Sequence, residues 1–329
     1  MVYPEDCISI VSGPYTLVKY PPSKKNDSNY REFRSMILKG DKVVCMSPNK
    51  SICFDTFIQM FSIEECCMEE FVEGIMINIF YDGEWRIATK SKLDALCTFD
   101  SSLTFAAMFE ECKQEVGLTY DMLQPEYSYS FVIQHPDHRI VTKVEKPTLV
   151  CVAMFHLENK IELLANVFPP RRYVFDTYED AKNNSQEGLG KGLVFKCQGY
   201  RSKIRNTKHD SIEQLKMNMP FQQRYLRLRK SNVYDIYLSY FPEDQVKGMD
   251  LECKISEVTM NLYEVYRSHF IYKKKKNKSR ILMSYLYDLH TIYLKEFFPK
   301  QLPYERVVQF INMYPNRVSH MLKHANELT

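Results

Sequence analysis

The sequence contains no CxxC pair, although ten cysteines are present, and two of them, Cys66 and Cys67, are adjacent. Adjacent cysteines have poor geometry for a pairwise framework, so neither a disulfide scaffold nor a structural zinc site is expected, and a reduced intracellular compartment is. No stretch of about 18 apolar residues occurs, which argues against a membrane-spanning helix. Met1 to Ile10 includes Glu5 and Asp6 and has no apolar run, so a signal peptide is not expected. No internal repeat is visible, which excludes solenoids and propellers. What remains is a chain of 329 residues, 45% hydrophobic and 13% aromatic. It is long enough for one large or two ordinary domains and apolar enough for a packed core, so global disorder is excluded.

The net charge of +3 hides an asymmetry. Between Arg201 and Lys230 nine Lys/Arg face only two acids, Asp210 and Glu213. Lys273 to Lys276, Lys278 and Arg280 form a second basic run, whereas Glu64, Glu65, Glu69, Glu70 and Glu73 crowd a short acidic stretch. Clustered positive charge attracts polyanions through counterion release, so RNA or DNA is a candidate partner; the alternative is a solvated face and loop.

The first two hundred residues read as mainly β. Lys42 to Met46 follows a Gly-Asp turn, and Ile75 to Tyr81 alternates apolar positions before Asp82-Gly83, a hairpin dipeptide, with Trp85 to Lys90 as the return strand. Ser128 to Ile133, Thr148 to His156 and Gly192 to Cys197 are further strands. A helix is expected over Leu103 to Val116, with Phe105, Met108, Phe109 and Cys112 on one face, and Glu179 to Gly190 reads as a loop. After Thr207 the texture becomes helical. Leu251, Ile255, Val258, Leu262 and Val265 fall at spacings of four and three, as do Ile281, Leu282, Tyr285, Leu286, Leu289, Ile292 and Tyr293. Two more short helices follow, split near Pro315, and the lysine run is the major loop of this domain.

The informative stretch is EEFVEGIMINIFYDGEWRIATKSKLD, Glu69 to Asp94. It resembles the region around the nucleotidyl-accepting lysine of the phage T-even RNA ligase 1 family, where K-x-D/E-G precedes an apolar strand, a turn and a second strand. In that family a lysine amine attacks the α-phosphate of ATP, giving a covalent lysyl-nucleotide. Glu73 and Gly74 match the carboxylate and glycine, but the lysine position holds Phe71, which has no nucleophile. Four more phrases follow in family order. Arg34 in FRSMILKGDKVV resembles the arginine that opens a strand, with Ser35 in place of glycine. SFVIQHPDHRIV resembles the phrase that supplies a ribose-contacting glutamate, with Val132 at the glutamate position. GKGLVFK aligns on Gly192 and Val194 with the metal- and phosphate-contacting EG-x-V, so Lys191 takes the acid position; a shifted alignment uses Glu187-Gly188. YRSKIRN resembles the closing K-x-K, with Lys203 and Arg205 both positive. The EFVEG and YSFVIQHP phrases are similar to those of a giant-virus group of RNA-ligase-like proteins.

The resemblance, over about residues 30 to 206, implies an α+β fold: a nucleotidyltransferase domain of ATP-grasp-like antiparallel sheets, residues 1–207, followed by an all-α C-terminal domain, residues 208–329. Phe71 leaves three readings open: a pseudoenzyme that keeps the fold and its polyanion groove, an RNA ligase whose nucleophile has moved to another lysine (Lys50, Lys90 or Lys92), or a shifted register. The loss of acids at Val132 and Lys191 favours the first. The expected function is then an RNA-ligase-like, catalytically degenerate protein of a large DNA virus that binds RNA or nucleotide in a basic groove. A virus structural or assembly protein using the fold as a scaffold is the alternative from another class. ATP and Mg2+ are expected as cofactors only if the chain is active, and no resident metal is expected. RNA is the expected partner, with a protein partner for the helical domain and no membrane. The expected location is the host cytoplasm or viral factory, or the virion.

Candidate nucleotide- and phosphate-binding residues are Arg34, Glu73, Gly74, Lys90, Lys92, Lys203 and Arg205. Lys203 and Arg205, and likewise Lys90 and Lys92, sit two apart on an expected strand and so share a face. Within RYLRLRK, Arg224, Arg227 and Lys230 form a basic, RNA-facing stripe on a helix, with Tyr225, Leu226 and Leu228 partly inward; on a strand Arg227 and Arg229 align instead. His135 and His138 flank Pro136-Asp137, and His320 and His324 sit four apart, but neither pair has a third ligand nearby, so neither is read as a metal site. Trp85 is read as hairpin core.

Overall fold

The protein is described by a computed structural model covering residues 3–273 and 280–324. It divides into two compact units, Met1–Gln214 and Leu215–Thr329.

The first unit is built from three antiparallel sheets. In chain order its elements are β1 (Ile8–Ser12), β2 (Tyr15–Lys19), β3 (Arg34–Lys39), β4 (Lys42–Cys45), α1 (Phe54–Met60), β5 (Cys67–Glu70), β6 (Ile75–Tyr81) and β7 (Trp85–Thr89). They continue with α2 (Phe105–Val116), β8 (Tyr127–Gln134), β9 (Thr148–His156), β10 (Ile161–Leu163), β11 (Arg172–Tyr173), α3 (Tyr178–Ser185), β12 (Gly192–Cys197), β13 (Tyr200–Arg205) and α4 (Thr207–Lys216). The sheets run β1-β2-β3-β4, β10-β9-β8-β6-β7 and β11-β5-β12-β13.

Local chemistry accounts for the key elements. Gly83 adopts φ +78° in the turn between β6 and β7, where Asp82 also accepts hydrogen bonds from Tyr15 at 2.6 Å and Lys39 at 2.7 Å. The side chain of Thr104 caps α2 by accepting from the Ala107 amide at 3.1 Å, and Gly117, at φ +71°, ends it. The buried face of α2, Met108, Phe109 and Cys112, packs in a core with Ile77, Ile79, Phe131 and Leu149. The segment expected as a loop over Glu179 to Gly190 is half helix. Thr177 caps α3 by accepting from the Asp180 amide at 3.1 Å, and Ala181 and Ser185 are buried against the sheet, which outweighs the polar composition.

The second unit is helical: α5 (Phe221–Lys230), α6 (Tyr234–Tyr240), α7 (Gln245–Tyr266), α8 (Arg280–Ile292), α9 (Tyr304–Met313) and α10 (Pro315–Lys323). Its core joins Leu251, Ile255, Val258 and Leu262 of α7 to Leu282, Leu286 and Leu289 of α8, the residues whose three-four spacing marks the sequence. Most of the lysine run lies outside the described residues. Among the described residues, no helix is long and apolar enough to cross a membrane. The division at 214/215 falls within α4, whose first two turns are held to the first unit. Its start is capped by the Asn206 side chain, which accepts from the amides of Lys208 at 2.9 Å and His209 at 3.2 Å. Its His209 is fully buried against Glu73.

Candidate functional site

Phe71 lies immediately after β5, with its amide donating to the Gly192 carbonyl at 2.9 Å at the start of β12. It lines a pocket of about 270 Å³ together with Arg34, Val132, Lys191, Lys203 and Arg205. All five sequence phrases thus place a diagnostic residue in one cavity, and Gly74 of the Phe71 phrase lines it too. Glu187, the acid of the shifted alignment, is exposed outside this pocket, whereas Lys191 lines it.

The floor is the face of β13 that carries Arg201, Lys203 and Arg205. These alternate residues project to one side because strand side chains have a period of two. Opposite them on β12 stand Lys196, Val194 and Gly192, in register with Arg201, Lys203 and Arg205. Such a row of cations is self-repelling, and the surroundings neutralise only part of it. Lys196 pairs with Glu69 at 2.8 Å and Glu162 at 3.3 Å, Lys191 with Glu213 at 3.2 Å, and Arg205 with Asp210 at 3.3 Å. The Phe71 ring lies under three of the cations, with Lys203, Lys191 and Arg205 at 4.8, 5.4 and 5.5 Å from its centroid. The negative face of an aromatic ring attracts cations at this range, whereas a lysine here would add a fourth positive charge.

Among the described residues, three cations of the pocket have no acid partner within 4 Å: Arg34, Arg201 and Lys203. Arg201 is only 8% exposed, and its Nε and Nη1 are buried without a hydrogen-bond acceptor. Arg34 donates one long bond, 3.5 Å, to the Pro48 carbonyl. Burial lowers the pKa of both guanidinium groups. Burial, then the neighbouring Arg205, Arg34, Arg201 and Lys191, pulls the Lys203 amine down to about 7. A pocket holding unsatisfied donors and unbalanced positive charge is suited to an anion that supplies several acceptor oxygens.

The other expected site residues separate. Gly74 lines the pocket, but its role is internal packing. At φ +147°, a Cβ there would meet the Ile133 carbonyl oxygen at 2.3 Å and Val132 Cγ1 at 2.6 Å. Gly192 is equally hemmed in, at φ +123° with the Ile204 oxygen 2.0 Å from an added Cβ. Ser35, which replaces the glycine after Arg34, retains a glycine-like φ of +106°. Glu73 does not line the pocket. It is buried, accepting from the amides of Val141 at 2.9 Å and Thr142 at 3.1 Å and bonding His209 Nε2. Burial pushes its carboxyl pKa up, but the His209 and amide hydrogen bonds outweigh that and hold it below the ordinary carboxylate value.

Lys90 and Lys92 do not share a strand face. β7 stops at Thr89, whose hydroxyl accepts from the Ser91 and Lys92 amides and turns the chain; Lys92 then donates to the Leu96 carbonyl at 2.7 Å. Neither they nor Lys50, which bonds the Lys25 carbonyl and Asn26, line the pocket.

The basic stripe of α5 also needs correction. Arg224 is 1% exposed, donating to the Met219 carbonyl at 3.0 Å and the Tyr237 hydroxyl at 3.2 Å, with Asp244 at 3.6 Å. Spacing of three drifts around a helix by about 60°, which here carries Arg224 to the core side while Arg227 and Lys230 stay exposed. His135 is a satisfied buried residue, bonded to Glu111 at 2.8 Å and accepting from the Asp137 amide. Trp85 stacks on Tyr120. Arg201 was missed by the sequence reading, although the period of two that joins Lys203 to Arg205 extends to it. His209 carried no local signal, because its partner Glu73 is 136 residues away.

No protein-family model matches the chain. In sequence, 95 residues are 26% identical to a protein described as RNA ligase from Rhodothermus phage RM378, a match that spans 26% of this chain and 22% of that protein. Among solved structures, a Naegleria gruberi RNA ligase mutant with ATP and Mn aligns with 47% of this chain and 53% of its own at 11% identity and a TM-score of 0.36. A putative ATP-dependent DNA ligase from Aquifex aeolicus aligns with 89% of this chain and 78% of its own, at 13% identity and a TM-score of 0.44. The chain is an α+β protein of antiparallel sheets followed by a helical unit, and it resembles RNA ligases in sequence over a limited stretch.

Proposed function

We propose that the first unit is an RNA-ligase-like nucleotidyltransferase fold that binds the phosphates of RNA, or of a nucleotide, without forming a lysyl-nucleotide. The observation that carries this reading is the cluster of Arg34, Arg201 and Lys203, buried or half-buried around one pocket with no ion-pair partner within 4 Å among the described residues, while Phe71 occupies the lysine position. At about 270 Å³ the pocket lies just under the usual range for small-molecule sites, roughly 300–1,000 Å³. It suits backbone phosphates better than a whole ATP. The EFVEG and YSFVIQHP phrases support a role in a large DNA virus, in the host cytoplasm or viral factory. Arg227 and Lys230, exposed on α5, extend the set of candidate phosphate contacts, and the helical unit is the surface proposed for a protein partner.

The test measures the affinity of a short single-stranded RNA against salt for wild type and for Lys203→Ala/Arg205→Ala. Salt-dependent binding that the double variant loses supports the reading. Absence of binding, or no effect of the double change, overturns it in favour of a scaffold role.

A second reading, an active ligase with a displaced nucleophile, is favoured by the Lys203 pKa of about 7, which leaves much of this amine neutral near neutral pH. The neutral Lys203 Nζ would attack the α-phosphorus of ATP, forming a P–N bond as the bond to the bridging oxygen breaks and pyrophosphate leaves. The amine proton passes to solvent. Incubation with α-labelled ATP and Mg2+ separates the two readings: a denaturation-resistant label lost in Lys203→Arg establishes the ligase, and its absence leaves binding alone.

A further inference from the structure

The first turns of α4 carry His209, Asp210 and Glu213, whose ligand atoms lie within 4.8 Å of one another. We propose that these three side chains form a divalent transition-metal site, with Glu73 as the carboxylate that orients the histidine. The proposal goes beyond anion binding and does not depend on it.

His209 is 0% exposed, and its two ring nitrogens differ in kind. Nε2 bonds the Glu73 carboxylate. That carboxylate already accepts from two backbone amides, and the imidazole nitrogen adds a third contact to it. Nδ1 makes no such bond. It is buried without a hydrogen-bond partner, 3.9 Å from Asp210 Oδ1 and 3.8 Å from Glu213 Oε2. A buried ring nitrogen without a partner, beside two carboxylate oxygens, is a donor set that a divalent cation would satisfy.

The remaining geometry fits. Metal–nitrogen and metal–oxygen bonds of about 2.1 Å place adjacent donors about 3.0–3.4 Å apart, so the two carboxylates need to move in by roughly half an ångström. Both are partly exposed, and their side chains have room to adjust. The arrangement carboxylate–imidazole–metal fixes the tautomer and raises the basicity of the ligating nitrogen, and Glu73 is placed to do this. One imidazole with two carboxylates suits Mn2+ or Zn2+ better than Mg2+ or Ca2+, which take oxygen donors. Two cations already touch the acids. Lys191 sits on Glu213 Oε1, leaving Oε2 for the metal, whereas Arg205 shares Asp210 Oδ1 at 3.3 Å and must be displaced.

The experiment titrates untagged full-length protein with Mn2+, reading free Mn2+ by electron paramagnetic resonance. Mn2+ is chosen because the exposed thiols of Cys53 and Cys253 would compete for Zn2+. One bound ion per chain is expected. Asp210→Asn/Glu213→Gln, which alters only partly exposed groups, should weaken it by about 100-fold, and Glu73→Gln by about 10- to 100-fold. Arg205→Gln should tighten binding, since its competitor for Asp210 is gone, and His320→Ala/His324→Ala should change nothing. The proposal is overturned if the wild type binds no Mn2+ at millimolar concentration, or if the Asp210/Glu213 double variant binds as the wild type does. It is equally overturned if removing His320 and His324 abolishes the signal. An unchanged affinity in Glu73→Gln removes the orienting role, and weaker binding in Arg205→Gln removes the site as drawn.

Discussion

If the anion pocket works as inferred, RNA binding must depend on pH through Lys203. The free protein holds this amine at a pKa of about 7, because burial and four neighbouring cations penalise its charge. A bound phosphate supplies the missing counter-charge and returns the pKa toward the ordinary lysine value of about 10.4. Binding therefore takes up a proton between these two values, and linkage makes affinity fall by at most tenfold per pH unit in that window. The sign follows from the protonated form being the one that binds: affinity is flat below about pH 6 and declines above about pH 7. Worked through with a free pKa of about 7, the loss between pH 7 and pH 8.5 is roughly 15-fold at most. Fluorescence anisotropy of a labelled single-stranded RNA at fixed ionic strength measures it, with Lys203→Arg as the control. The arginine stays protonated across the range, so its curve should be flat where the wild type falls. A flat wild-type curve, or an arginine variant just as steep, would refute the assignment.

Three further outcomes follow from the same structure. Arg201→Met should weaken RNA binding by about tenfold at low salt and reduce the salt slope by about one, while the denaturation midpoint holds or rises because an unpaired buried charge has gone. Unchanged affinity would remove Arg201 from the site. Gly74→Ala should cost the first unit about 2–4 kcal/mol in chemical denaturation, since the new Cβ meets backbone that cannot move aside. Arg224→Ala should destabilise the helical unit by about 1–3 kcal/mol, through its lost bonds to the Met219 carbonyl and the Tyr237 hydroxyl while Asp244 keeps Lys247, yet leave RNA affinity unchanged; weakened RNA binding in a folded variant would restore the stripe on α5.

Much of the first unit is legible in the sequence because its signals are local. β6, β9 and β12 match their sequence-read spans, since alternation and turn dipeptides report on residues within one strand and its hairpin. β5 and β11 carry short patterns and become strands through pairing with distant partners, β11 with β5 across more than a hundred residues, while β1 and β2 form a local hairpin of weak pattern. The helix α3 was hidden by polar composition, although its Thr177 cap is a local sign that was readable. The same holds for Arg201, whose place beside Lys203 and Arg205 follows from strand alternation once β13 is extended back to Tyr200.

The sequence by itself determined the fold class, the run of motif phrases and the one chemical exclusion that needs no coordinates: Phe71 has no amine. Composition and covalent identity decide these, and no packing alters them. Tertiary structure alone decided which charges count. Burial left Arg34, Arg201 and Lys203 unbalanced around the Phe71 ring, drew Arg224 into the core, and set Glu73 against His209 instead of against a ligand. Whether a charged side chain is paired, desolvated or merely solvated depends on neighbours far away in the chain, and only the folded arrangement brings them within reach.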